Sequence, residues 1–390
     1  NLSRRSHLGA MRLLVALLLS TALTAARTED RLVLAQTIWR HGARTPRGCY
    51  PTDPYQESFW GVPWGELTAT GMRQHFEQGQ RLRRRYIERT RLIGSKYSRY
   101  ETAVRSADTP RCIESAQANL AAFYADSPTF PADVNGWPST WTPIAVHSRP
   151  YEEDRELEVA VSCPRADQLS KNRENQPAFQ EFLASKQPLF DAINANSGET
   201  FNVSSYTIAH MWGILRVEKG DFNLTMPEWI TDEFYGDLKE AFEDSEDYID
   251  GQAGFGLSED TELLRLRGGF MLGELVKNMW AAVNNETTTK YFAYSAHDTI
   301  QRALMLSLGV KEPIVGPGNP YYASVLAFEL WENNGQYYVK ILFAPNSETD
   351  LVDYSAFLPM KCTDGQCLLA DFVKYAQRYI PKGVEDCYKR

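Results

Sequence analysis

Three short segments of the chain hold side chains that could do chemistry together. Arg40-His41-Gly42-Ala43-Arg44-Thr45-Pro46 closes the apolar run 32–38, Arg105-Ser106-Ala107-Asp108 closes a second run, and Ala296-His297-Asp298 closes a third. A histidine between two arginines at the end of a buried strand makes a poor core and a good anion site, because guanidinium groups beside an imidazole need solvent or a counter-anion. Hydrolysis of a phosphate ester asks for a nucleophile, charge on the phosphoryl oxygens and an acid for the leaving alcohol. His41 can be the nucleophile, as a neutral imidazole attacking phosphorus in line. Arg40, Arg44 and Arg105, with His297, can hold the phosphoryl oxygens. Asp298 can protonate the leaving oxygen if it keeps a proton until the bond breaks, then act as base on water. None of these steps calls for a metal or a cofactor.

Side chains from three distant segments meet only if a sheet brings them to one edge. Hydrophobic patterning predicts six strands, at 31–38, 99–105, 143–147, 290–296, 323–331 and 336–344, the last two joined by the hairpin signal Glu332-Asn333-Asn334-Gly335. Thr68 is expected to cap a helix on which Met72, Phe76, Leu82 and Tyr86 share a face. Helical patterns fill the stretch after the third strand, and a long helix over 261–283 leads into the fourth. The order points to an α/β fold, a six-stranded mixed sheet flanked by helices and interrupted by a smaller helical insert. On this reading residues 27–149 and 261–390 form the α/β domain and 150–260 the helical cap.

Met11-Arg12, an apolar run from Leu13 to Ala22 and small residues up to Ala26 have the layout of a secretory signal peptide, so residues 1–25 are expected to be upstream sequence plus signal. Their removal takes away Arg4, Arg5 and Arg12 and no acid, three positive charges from a chain of formal charge −9. The remainder is acidic, which argues against nucleic acid or an anionic membrane as partner and requires any phosphate site to be a local positive pocket. Sequons at Asn202, Asn223 and Asn285 agree with a secretory route, to the outside or to a lysosome-like lumen. Six cysteines permit fifteen complete pairings.

Arg-His-Gly-x-Arg-x-Pro, then Arg-Ser-x-Asp, then His-Asp near the end together resemble the histidine acid phosphatase family. Trp64-Gly65-Glu66-Leu67-Thr68, Gly136-Trp137-Pro138, Ser162-Cys163-Pro164-Arg165 and Leu264-Arg265-Leu266-Arg267-Gly268-Gly269 are similar to its animal secreted, lysosomal and prostatic branch. The resemblance implies His41 as phosphohistidine nucleophile, Asp298 as proton donor, and Arg40, Arg44, Arg105 and His297 as phosphate ligands. It also implies small phosphate monoesters as substrates and often a homodimer. For the cysteines it implies Cys163 with Cys387 and Cys362 with Cys367, leaving Cys49 to pair with Cys112. One departure is Ala43, where animal members commonly carry Asp and phytase members often Ala. Within the same fold the alternative is an inositol-phosphate phosphatase, which needs more cations around the pocket than Arg47 adds. An inactive secreted binding protein is the alternative from a different class, opposed by the joint presence of His41, Arg44, Arg105, His297 and Asp298.

Overall fold

A computed structural model describes residues 30–125, 127, 133–138, 141–360, 362 and 366–389. The expected signal segment lies outside them. Strand β1 (Arg31–Arg40) runs through the middle of the sheet and is buried without a break from Leu34 to Arg40. Such a strand needs apolar residues on both faces. Leu34 and Ile38 enter one core while Ala35 and Trp39 enter the other.

β1 pairs in parallel with β3 (Tyr291–Ala296), and β3 in parallel with β2 (Thr102–Ser106). On its other side β1 pairs antiparallel with β4 (Val325–Asn333), which turns into β5 (Gln336–Ala344). The turn holds Asn334 and Gly335 at φ 52° and 80°, the left-handed pair that a tight hairpin requires. Two-residue strands β6 (Val352–Asp353) and β7 (Cys367–Leu368) both pair with β5, and the six-strand path runs β2-β3-β1-β4-β5-β6. The stretch 143–147 is not a strand of its own. It makes a single bridge, His147 beside Arg105, and Pro143 lacks the N–H that would extend it.

One face of the sheet is covered by α8 (Thr261–Val283), α9 (Asp298–Ser307) and α10 (Leu369–Ala376), through Met271, Leu275, Ile300, Leu304 and Phe372. The other is covered by α1 (Ala69–Arg83) and α2 (Pro110–Phe123), through Leu82, Leu120 and Phe123. Thr68 caps α1, accepting from the Gly71 N–H at 3.2 Å. The face that α1 buries is Gly71, His75, Gln78, Gly79 and Leu82, and the expected Met72 and Phe76 are exposed. Polar His75 and Gln78 go inside because they donate to the carbonyls of Arg40 at 3.0 Å and Ala323 at 2.6 Å. A Cβ at Gly71 would stand 2.3 Å from the Ala43 carbonyl oxygen, so glycine lets α1 lie directly on the loop after His41.

Between α2 and α8 lie α3 (Pro164–Glu174), α4 (Pro177–Ser185), α5 (Gln187–Asn196), α6 (Ser205–Leu215) and α7 (Asp232–Ile249). They bury Phe179, Phe190, Met211 and Leu238 in a core separate from the two beside the sheet, joined by Tyr50 from the loop after β1.

Cys163–Cys387 ties the start of α3 to the C-terminal turn, and Cys362–Cys367 closes a short loop. The expected Cys49–Cys112 bridge is not formed. Both are free thiols: Cys49 donates to Gln56 Oε1 at 3.3 Å, while buried Cys112 faces the Ala296 carbonyl at 3.4 Å. Pairing by elimination presumed that every cysteine is bridged, and Cys112 is instead directed at the sheet edge. Asn202, Asn223 and Asn285 are all exposed. No helix among the described residues is long and apolar enough to cross a membrane.

Candidate active site

In the strand register Arg40 lies beside Ala296 and Ser106 beside Ser295. The carboxyl ends of three parallel strands therefore meet at one edge, where α/β sheets collect ligands. A cavity of about 360 Å³ opens there, walled on the sheet side by Arg40, His41, Arg44, Arg111, His297 and Asp298. Trp212, Arg216, Phe242 and Glu243 face it from the helical segment.

His41 Nδ1 lies 2.9 Å from the Gly42 carbonyl oxygen. A carbonyl only accepts, so Nδ1 carries the proton and Nε2 keeps its lone pair. Burial first, then Arg111, Arg40, His297 and Arg44, hold its basicity well below that of a free histidine. The ring is thus neutral and nucleophilic even in acid. His75 is also neutral, pushed down to about 3 by burial, and serves the Arg40 backbone rather than a ligand.

Arg40 is fully buried and fixed from three sides. Its Nη1 donates to the Pro320 carbonyl at 2.7 Å, its Nη2 stands 3.0 Å from Asp298 Oδ2, and its guanidinium lies 4.2 Å over the Tyr322 ring. Arg44 donates from Nη1 to Thr45 at 2.7 Å, and burial, with Arg40, Arg111 and Arg47 nearby, brings it down to about 10. Asp298 is the first residue of α9, whose N-terminal end favours negative charge at the cavity. Burial would raise its carboxyl, but Arg40, Arg216, His297 and Arg44 hold it far below the usual carboxylate range. His297 goes the opposite way to His41. Burial opposes its charge, yet Cys112 and Glu158 push it up to about 9.

Of the four cations read from the sequence, Arg40, Arg44 and His297 line the cavity and Arg105 does not. Thr102, Val104 and Ser106 of β2 face the core under α1 and α2, and Arg105 points to the same face as Ile38, Tyr294 and Arg40 but stands two register positions short of the edge where Arg40 and Ala296 end. There its Nη2 binds Asp154 at 2.7 Å and approaches Glu156 at 3.6 Å. The arginine that enters the cavity is Arg111, in the first turn of α2, with an Nη1 contact to the Gly65 carbonyl at 3.4 Å and Nε unpartnered. A signal for it existed: Thr109-Pro110 starts a helix just past a strand end, which aims the first turn at the site. Glu158 lies in an irregular turn without a sequence pattern, and Arg216 follows directly on the end of α6. Arg47 lines the cavity, while His210 stacks on Tyr206 and Asp108 accepts from Ser148.

Residues 31–344 match the family described as the histidine phosphatase superfamily (branch 2). The chain is 34% identical over 387 residues to a lysosomal acid phosphatase of Xenopus laevis, covering 97% of this chain and 83% of that one. A prostatic acid phosphatase of Rattus norvegicus is 31% identical over 372 residues, 94% and 91% of the two chains. Among solved structures, a Hafnia alvei phytase in complex with tartrate superposes with a TM-score of 0.63 at 16% identity, covering 93% and 99%, a likeness of fold alone.

Proposed function

The chain belongs to branch 2 of the histidine phosphatase superfamily, and from that premise we propose how its cavity acts on substrate. The protein is an acid phosphatase that hydrolyses phosphate monoesters, and its place is lysosomal or secreted. In our reading Arg40, Arg44, Arg111 and His297 hold the phosphoryl oxygens. His41 Nε2 attacks phosphorus, an N–P bond forms, the ester P–O bond breaks, and the leaving oxygen takes a proton from Asp298. Water then attacks the phosphohistidine, gives its proton to Asp298 and releases phosphate with a neutral His41. The observation that carries this reading is the His41 ring itself, its Nδ1 tied to Gly42 and its Nε2 free in a cavity of cations.

Asp298 is held ionised beside Arg40, so in this reading its proton arrives with the substrate. A phosphate monoester binds as its monoanion below about pH 6, bringing one proton and one negative charge. The charge offsets Arg40 and Arg44, and the proton passes to Asp298. Acid activity follows from the substrate's protonation as much as from the enzyme's.

Arg47 and Arg216, beyond the four ligands, favour a second reading in which the ester carries another anionic group, as inositol phosphates do. A substrate panel with EDTA present, from about pH 4.5 to 8, tests both. We expect nitrophenyl and glycerol phosphates to turn over in acid, unaffected by EDTA. Turnover of phytate alone would favour the second reading, and loss of activity in EDTA would overturn the metal-free chemistry.

A further inference from the structure

Two histidines share the cavity, with ring centres 5.5 Å apart, and their surroundings set them in opposite charge states. Cys112 and Glu158 both stand against His297, and the carboxylate of the two is Glu158. Its Oε1 lies 3.1 Å from His297 Nε2, and both residues are less than a tenth exposed. A carboxylate at a phosphate site repels the ligand unless a cation stands against it. Here the imidazole is that cation: Glu158 takes the Nε2 donor and Nδ1–H is the ring's other donor, with the Cys112 sulfur 3.8 Å from each nitrogen.

The backbone that carries Glu158 is itself held in place. Asp154 Oδ1 accepts from Arg105 Nη2 at 2.7 Å and from the Leu157 N–H at 3.2 Å, and the Glu158 N–H donates to the Asp154 carbonyl at 2.9 Å. Leu157 is buried in the core beneath the sheet. An arginine read from sequence as a ligand thus serves as the anchor of a turn, and that turn delivers a carboxylate to a histidine. We propose that Glu158 is a positioning residue for phosphate recognition, fixing the orientation of the His297 ring and supplying its counter-charge, with Arg105 and Asp154 holding the turn that presents it.

This rests on His297 being a phosphate ligand. The groups that face His297 are Glu158, Cys112 of α2, His41 and Asp298, and Glu158 is faced in turn by Tyr151. Of these Glu158 is the one carboxylate hydrogen-bonded to the ring, so its removal has a signature in pH that loss of packing lacks.

The test compares wild type, Glu158→Gln, Glu158→Asp and His297→Ala by competitive inhibition with inorganic phosphate and by the NMR titration of the His297 ring. In wild type the ring is expected to titrate at about 9. In Glu158→Gln the midpoint falls by about 2.5 pH units, to about 6.5, and phosphate inhibition stays within about threefold of wild type at pH 5 but weakens about tenfold at pH 7.5. Glu158→Asp, which keeps the charge, falls between the two. If His297→Ala weakens phosphate binding while Glu158→Gln and Glu158→Asp both track wild type at every pH, or both lose affinity equally at every pH, the role given to Glu158 is wrong. If His297→Ala binds phosphate as wild type does, the ligand reading of His297 fails first and the proposal falls with it.

Discussion

Two buried clusters of ionisable groups, one in the cavity and one at Asp53 and Glu218, balance charge in opposite ways. In the cavity, Arg40, Arg44, Arg47, Arg111, Arg216 and His297 stand against four carboxylates, Asp298 paired with Arg40, Glu158 with His297, Glu246 with Arg302, and Glu243, so cations are in excess and an anion is invited. In the other, Asp53 and Glu218 stand near each other at 3% and 0% exposure, and neither Glu218 oxygen finds an N–H or O–H donor. Burial and Asp53 push Glu218 up to about 9, so the pair holds a proton where the cavity would hold a phosphate. Burial alone does not make a site. The surplus of sign decides whether a buried cluster recruits a ligand or a proton.

The comparison is sharpened most by two arginines six positions apart. Arg111→Ala removes a cation that faces the cavity and should lower kcat/KM by about 100-fold or more, the scale of a lost charged donor. Arg105→Ala removes one already committed to Asp154 and should cost less than about tenfold at pH 5. Steady-state kinetics on both variants checks this, and equal losses would mean that Arg105 turns to the ligand when it binds.

Next in size is Asp298→Asn. The acid matters for an alkoxide leaving group and scarcely for nitrophenolate, so single-turnover release of glycerol should slow about 100-fold while nitrophenol release slows less than about tenfold. The same factor for both would make Asp298 an orienting partner of Arg40 instead.

The smallest effect belongs to the other cluster. Folded Glu218 keeps a proton that the unfolded chain releases near its ordinary value of 4.5, so its stabilisation is complete below that pH and is lost as pH rises toward about 9. Glu218→Gln keeps an N–H donor for Asp53 and removes the titration. Melting curves should show equal stability near pH 5 and a variant more stable than wild type by a few degrees near pH 8. Parallel curves would contradict the shared proton.

Much of this was legible in the sequence. The three motif segments follow apolar runs, and such runs become parallel strands whose ends share an edge, so His41, His297 and Asp298 could be placed together before any contact was seen. The helix over 261–283 and the Asn-Gly hairpin were equally plain, because a long periodic pattern and a turn with its own chemistry each leave one reading. Arg105 does not reach the cavity although it shares a face with Arg40, because it stands two register positions short of the edge and Asp154 takes its charge there, and strand register is not written in one strand's sequence. The buried face of α1 was misread because His75 and Gln78 go inside to satisfy carbonyls, against the hydropathy period. Glu158 left no pattern, since its position depends on an irregular turn held by a distant arginine.

The central claim is that His41 takes the phosphoryl group. Enzyme quenched in alkali during turnover of a labelled monoester and mapped by peptide should carry phosphate on His41, labile in acid and stable in base, and His41→Ala should trap none and lose turnover by more than about a thousandfold. Label on Cys112, the free thiol facing the same sheet edge, or activity surviving in His41→Ala to within about tenfold, would contradict the account.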